Sequence, residues 1–150
     1  MKNLLLALLF LSTACFAQKT KSNFDSILAK KLGADDYGMK QYVFCLLKTG
    51  PAKNVPKTKQ DSLFAGHMKN IGRLADEGKL ALAGPFMNSK QEYRGLFIFN
   101  VTTIEEAEKL VQTDPAIKNG LLKAEFTEWY GSASLLQIPE MHKKLQKKSF

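Results

Sequence analysis

The sequence predicts an α+β domain with the element order β-α-β-β-α-β. Three observations predict it. Apolar runs of strand length occur at 41–48, 80–84, 94–101 and 121–130. Two helical patterns fall between them, one entering after Asp61 and one after Thr103. Gly and Pro interrupt the junctions, at Gly50-Pro51, Gly78, Gly84-Pro85, Pro115 and Gly120.

The first strand pattern is QYVFCLLK, with Tyr42, Phe44 and Leu46 on one face and Val43, Cys45 and Leu47 on the other. Both faces are apolar, so both should be covered. Residues 49–59 are polar, contain Pro51 and Pro56, and read as a loop. Asp61 or Ser62 then caps a helix that Gly78 ends. At about 100° per residue, Phe64, Met68, Ile71 and Ala75 form its apolar stripe. His67 lands at the border of that stripe, between Leu74 and Ile71.

Leu80 to Gly84 is the second strand, 85–92 a loop, and Arg94 to Val101 the third strand, again apolar on both faces. Thr102 and Thr103 each precede a Glu by three residues, the signature of a capping box. Ile104, Ala107, Leu110 and Val111 follow at helical spacing, and the pattern must fail by Asp114 because Pro115 excludes the α region for its predecessor. Residues 115–120 read as a turn. Leu121 to Tyr130 is the last strand, with Leu122, Ala124, Phe126 and Tyr130 on one face and Trp129 on the other. This is the ferredoxin-like, split βαβ plan. Two helices cover one face of such a sheet. The apolar second face therefore predicts a homodimer packed sheet to sheet.

Four segments follow from composition: 1–17, 18–40, the domain at 41–136 and a basic tail at 137–150. Met1-Lys2, an apolar run from Leu4 to Leu11 and Ala17 at the cut make 1–17 a secretory signal peptide. That predicts export to the periplasm or the extracellular space. The alternative is a lipoprotein box, Ser12-Thr13-Ala14-Cys15, with the chain anchored through Cys15. The run is too short for a transmembrane segment, which needs about 20 residues. Residues 18–40 carry one short helical pattern, with Phe24, Ile27 and Leu28 on one side and Gly33 at its end. After the cut Cys45 is the remaining cysteine. One thiol makes no internal disulfide, so Cys45 reads as a buried hydrophobe, with a reactive thiol as the lesser alternative.

The net charge of +8 is concentrated at the ends. Lys143, Lys144, Lys147 and Lys148 stand against Glu140 in the tail, whereas the residues between 41 and 138 nearly balance. A nucleic-acid binder concentrates basic groups on a folded face, so no nucleic acid is expected.

Tyr42 to Pro51 (YVFCLLKTGP), Gly66 to Phe86 (GHMKNIGRLADEGKLALAGPF), Arg94 to Val101 and Asp114-Pro115, in that order, resemble the YciI-like (YCII-related) family. The closing Trp129-Tyr130-Gly131-Ser132-Ala133 resembles its secreted branch. The resemblance covers Gln41 to Leu136. It implies a dimeric α+β barrel, related in fold to muconolactone isomerases, and a His and Asp active site that maps onto His67 and Asp114. The activities it implies are lyase or isomerase steps on small oxygenated rings, dehydrohalogenation among them. The export signal and basic tail depart from the short cytoplasmic members.

The residues themselves allow two readings of His67. It is a structural, hydrogen-bonded histidine, or it is a general acid or base whose tautomer Asp114 fixes. Asp114 is likewise a helix stop or the orienting carboxylate. Arg73 and Arg94 either hold an anionic small-molecule substrate or lie on the surface. Tyr42 and Trp129 line a pocket or fill core, and Gly84 admits a ligand to the backbone or ends a strand. Asp76 lies on the opposite side of its helix from His67 and is a poor partner. Neither metal-ligand spacing nor a dinucleotide or phosphate loop occurs, so no cofactor and no metal are expected. Two functional classes lead, a cofactor-free lyase or isomerase and a non-catalytic small-molecule-binding module of the cell envelope; a third, a structural or surface-associated protein, rests on the basic tail alone.

Overall fold

A computed structural model describes residues 23–88 and 92–148. The expected signal peptide, the lipoprotein box at Cys15 and the first residues of the leader lie outside them. In chain order the elements are α1 (Ser26–Leu32), β1 (Met39–Thr49), α2 (Lys57–Asp76), β2 (Leu80–Pro85), β3 (Tyr93–Phe99), α3 (Ile104–Val111), α4 (Pro115–Lys118), β4 (Leu122–Ser132), a 3₁₀ turn (Ala133–Gln137) and α5 (Ile138–Leu145). The four strands form one antiparallel sheet in the order β2-β3-β1-β4. This is the ferredoxin-like α+β arrangement that the sequence pattern predicts.

The helix-side core has a simple origin. Alternation on β1 sends Val43, Cys45 and Leu47 to one face, and the register sets Phe99 and Phe97 beside Val43 and Cys45. Leu74 of α2, Ala107 and Val111 of α3 and Ala116 of α4 close over them. Thr103 caps α3 by accepting a hydrogen bond from the Glu106 amide, as half of the expected capping box.

Several expectations need correction. Helix α2 begins at Lys57 behind Pro56, one turn before Asp61 and Ser62, so neither of those is its cap. Pro56 presets the entry of the chain, and Asp61 pairs instead with Lys57 one turn back. Residues 115–120 are not a plain turn: Pro115 starts α4, which Asp114 caps. Strand β3 stops at Phe99, two residues early, whereas β1 and β4 extend to pair from Met39↔Ser132 through Thr49↔Leu122. In the leader, Phe24 and Ile27 are 70% and 82% exposed.

The sequence leaves the order of the basic tail open; after β4 the chain folds back as the 3₁₀ turn and α5, as far as residue 145. Leu135 and Leu136 pack on Tyr42, Ala81 and Ile98, so the chain covers part of its own second sheet face. Lys143 reaches Asp76 at the end of α2, which is where that carboxylate finds its partner. Phe44, Leu46, Leu82 and Leu96 remain half-buried beyond the covered part.

Candidate functional site

The buried face of α2 is not the predicted one. Leu63, His67, Asn70 and Leu74 are its buried residues, and Phe64, Met68, Ile71 and Ala75 lie on its flank. The face is turned by about a quarter turn from the apolar stripe, which moves His67 from the border to the middle. Two polar residues can sit there because each finds a partner at the corner between α3 and α4.

Gly66 makes the approach possible. A Cβ at that position would lie 2.5 Å from Cγ of Pro115, so only glycine lets the start of α4 pack this closely on α2. The contact brings Asp114 to His67. Nδ1 of the imidazole lies 2.6 Å from Oδ2 of Asp114. The other carboxylate oxygen, Oδ1, accepts from the amides of Ala116 at 2.9 Å and Ile117 at 3.3 Å. Asp114 is fully buried and His67 is 8% exposed. With Oδ1 already accepting two backbone N–H groups, the carboxylate acts as acceptor and Nδ1–H as donor. The ring is thereby held in the tautomer that leaves the Nε2 lone pair free. Phe97 of β3 stacks on the imidazole at 5.8 Å between centroids, and Phe64 meets it edge-on at 6.1 Å.

Asn70, one turn beyond His67, belongs to the same corner and was not singled out by the sequence. Its Oδ1 lies 2.9 Å from both Nη2 of Arg73 and Oγ1 of Thr113, the residue before Asp114. Among the described residues, Nδ2 of Asn70 is a buried side-chain atom with no hydrogen-bond partner. The signal that would have found it is its spacing of three from His67, which places both on one face.

The remaining candidates separate. Arg73 spends its guanidinium on Glu77, Asn70 and Thr113 and so ties α2 to the end of α3. Tyr42 and Trp129 pack on each other on the far face of the sheet, with the Tyr42 hydroxyl donating to the Ser132 carbonyl at 2.9 Å. Gly84 is exposed on β2, and a Cβ there would meet open space. The close approach belongs instead to Gly95, where a Cβ would come within 2.7 Å of the Gly84 carbonyl oxygen. Arg94 lines a cleft of about 220 Å³ together with Thr49, Asn54, Gln60, Phe64 and Leu121. A second, shallower groove of about 410 Å³ runs along α5 past His142 and Met141. His67 and Asp114 line neither.

Cys45 lies beneath this corner on β1. Burial pushes its thiol up to about 12 and the nearby Asp114 charge adds to the shift, while a backbone hydrogen bond from Glu125 opposes it. A thiol so placed stays protonated and is no nucleophile. Among the described residues no three His, Cys, Asp or Glu side chains gather as a metal site, and no helix is long and apolar enough to cross a membrane.

Among solved structures, the chain is similar to 5-chloro-2-hydroxyhydroquinone dehydrochlorinase from Burkholderia phenoliruptrix in complex with 2,5-dihydroxybenzoquinone. The two share 18% identity over 58% of this chain and 92% of that one, with a TM-score of 0.43. No curated protein sequence matches. The YCII-related domain model matches residues 42–130, from within β1 to within β4, and the chain belongs to that family.

Proposed function

We propose that this protein is a cofactor-independent lyase or isomerase that moves a proton on a small oxygenated substrate, rings included, with His67 as general base or acid and Asp114 orienting it. The observation that carries the reading is the bond of 2.6 Å between Nδ1 and Oδ2. A buried carboxylate holds one nitrogen and stabilises the imidazolium that forms when the other takes a proton. Stacking on Phe97 fixes the ring plane, so the basic lone pair has one direction. Such a pair removes a proton from carbon or hydroxyl and returns it elsewhere on the same molecule, with no other group required.

Membership of the YCII-related family supports a small molecule as the ligand. The test is turnover of a panel of hydroxylated lactones, enones and halogenated hydroxy-aromatics by the wild type and by His67→Ala. Loss of turnover in a variant that keeps its fold is the expected result; full activity in that variant removes the proposal.

One observation favours a second reading. The cleft of about 220 Å³ takes in Phe64 but not His67. In a non-catalytic binding module the cleft holds the ligand and the His67–Asp114 pair only locks α2 to α4. Saturable binding without product from any member of the panel would favour it.

We further infer export, as in a secreted branch of the family, on the strength of the N-terminal pattern. We also infer a homodimer, supported by the half-buried Phe44, Leu46, Leu82 and Leu96 on the second sheet face. A stable monomer at micromolar concentration in sedimentation would remove the dimer.

A further inference from the structure

We propose that the cleft between the β1–α2 connection and α2 is an organic-anion site, in which Arg94 takes the charge and Phe64 and Leu121 take the apolar body of a compact, single-ring ligand.

Charge is the first argument. Among the described residues no carboxylate lines the cleft, whose walls are Thr49, Ala52, Asn54, Val55, Gln60, Phe64, Arg94 and Leu121. Arg94 is the basic residue in that lining, and several of its neighbours on the sheet and α2 are paired elsewhere. Lys48 pairs with Glu125, Lys57 with Asp61, and Arg73 with Glu77. Arg94 is exposed and has no ion-pair partner among the described residues. Its guanidinium presents five donors in a planar fork, the geometry that fits a carboxylate. The Asn54 side chain adds a second donor group without a hydrogen bond among the described residues.

The second argument is preorganisation. The wall carrying Asn54 is pinned: the Gly50 amide donates to the Leu121 carbonyl at 2.8 Å and the Ala52 amide to the Gly120 carbonyl at 3.0 Å. Gly50 packs so closely on Gly120 that a side chain there has no room. The Gln60 side chain closes the loop by donating from Nε2 to the Val55 carbonyl at 2.8 Å. Asn54 itself is held at φ +55°, a left-handed conformation uncommon for a residue other than glycine. A wall fixed before the ligand arrives saves the ordering cost of binding.

Size and apolar contact name the class. The cleft, at about 220 Å³, is smaller than the roughly 300–1,000 Å³ of sites for drug-sized ligands, which restricts it to about one substituted ring. Phe64 and Leu121 supply the apolar walls. Phe64 also meets the imidazole of His67 edge-on, so a ligand seated on Phe64 lies one ring away from the His67–Asp114 pair. The anion site stands on the cleft alone; its being the substrate site rests on the acid–base reading above.

The experiment titrates the full chain with benzoate, with its neutral isostere benzamide and with inorganic phosphate, followed by calorimetry and by amide and guanidinium chemical shifts. Benzoate is expected to saturate, with shifts at Thr49, Asn54, Gln60 and Arg94. Benzamide is expected to bind at least roughly tenfold more weakly, and Arg94→Gln to lose at least roughly tenfold in benzoate affinity. Arg94 is a surface side chain, and an unchanged unfolding midpoint verifies that variant. His67→Gln is expected to keep benzoate affinity. Benzoate binding that needs Arg94, in a protein whose turnover survives loss of His67, would leave the anion site standing and remove the acid–base reading. No saturation at millimolar benzoate, equal affinity for benzamide, full affinity in Arg94→Gln, or equal displacement by phosphate would each overturn the anion site.

Discussion

Nδ1 of His67 and Oδ2 of Asp114 stand 2.6 Å apart although 47 positions separate them in sequence. Asp114 does two things at once: its Oδ1 caps α4 while its Oδ2 holds the imidazole. One carboxylate thus couples the position of a helix to the tautomer of a ring.

That double role has a direct consequence for substitution. Asp114→Ala removes a cap, worth about 1 kcal/mol, and leaves a buried Nδ1–H unpaired, at roughly 1–3 kcal/mol more. A loss of about 2–4 kcal/mol is expected in urea unfolding. Asp114→Asn keeps an oxygen for the cap and turns its amide toward the ring. Nitrogen NMR should then find Nδ1 accepting and Nε2 protonated. An Nδ1-protonated ring in Asp114→Asn would contradict the assignment.

Two glycines of α2 should respond with opposite signs. A Cβ on Gly72 meets nothing within 4 Å, so Gly72→Ala is expected to stabilise by up to about 1 kcal/mol through helix propensity. Gly66→Ala has the same propensity gain but forces Cβ against the Pro115 ring, an overpacking cost of roughly 1–3 kcal/mol. It should come out destabilising, and it should also weaken the His67–Asp114 bond. A stabilised Gly66→Ala would show that α4 yields freely.

A tie between leader and sheet sets a pH window. The Tyr130 hydroxyl donates to Asp35, which holds that carboxyl below its ordinary 3.8 and the phenol above its ordinary 10.0. A lowered acid contributes stability above 3.8 and loses it as pH falls through the lower folded value. A raised phenol contributes below 10.0 and loses it as pH rises through the higher folded value. The difference in unfolding midpoint between wild type and Tyr130→Phe should therefore be flat across neutral pH and vanish at both extremes. A difference that grows toward acid would contradict the pairing.

Cys45 should resist modification. With its thiol pushed up to about 12, the thiolate is negligible at neutral pH. Alkylation mapped to the Cys45 peptide is expected to follow global unfolding and to accelerate with urea. Rapid labelling of the native protein would show that the corner beneath His67 is open.

Strand count, strand order and the cap at Thr103 were legible because each rests on residues near in sequence: alternation, a capping pair, a glycine after a helix. The face of α2 was misread for a related reason. Hydrophobicity placed the stripe at Phe64, but Asn70 and His67 are buried because Thr113 and Asp114 arrive from another element to satisfy them. Hydropathy cannot register a partner supplied by a distant residue. Whether the tail is ordered was not legible either, since its lysines describe a wet side and the contact that holds α5, Lys143 on Asp76, comes from a distant helix.

The sequence by itself determined the βαββαβ order and the residue types able to move a proton, because periodicity and turn chemistry act over a few residues. Only the tertiary structure decided that Gly66 lets Pro115 in and so joins His67 to Asp114. It also sent Tyr42 and Trp129 to the side of the sheet away from His67 and set Arg94 in a cleft with no ion-pair partner among the described residues. Those outcomes depend on how separate elements dock, and docking is settled by contacts between residues far apart along the chain.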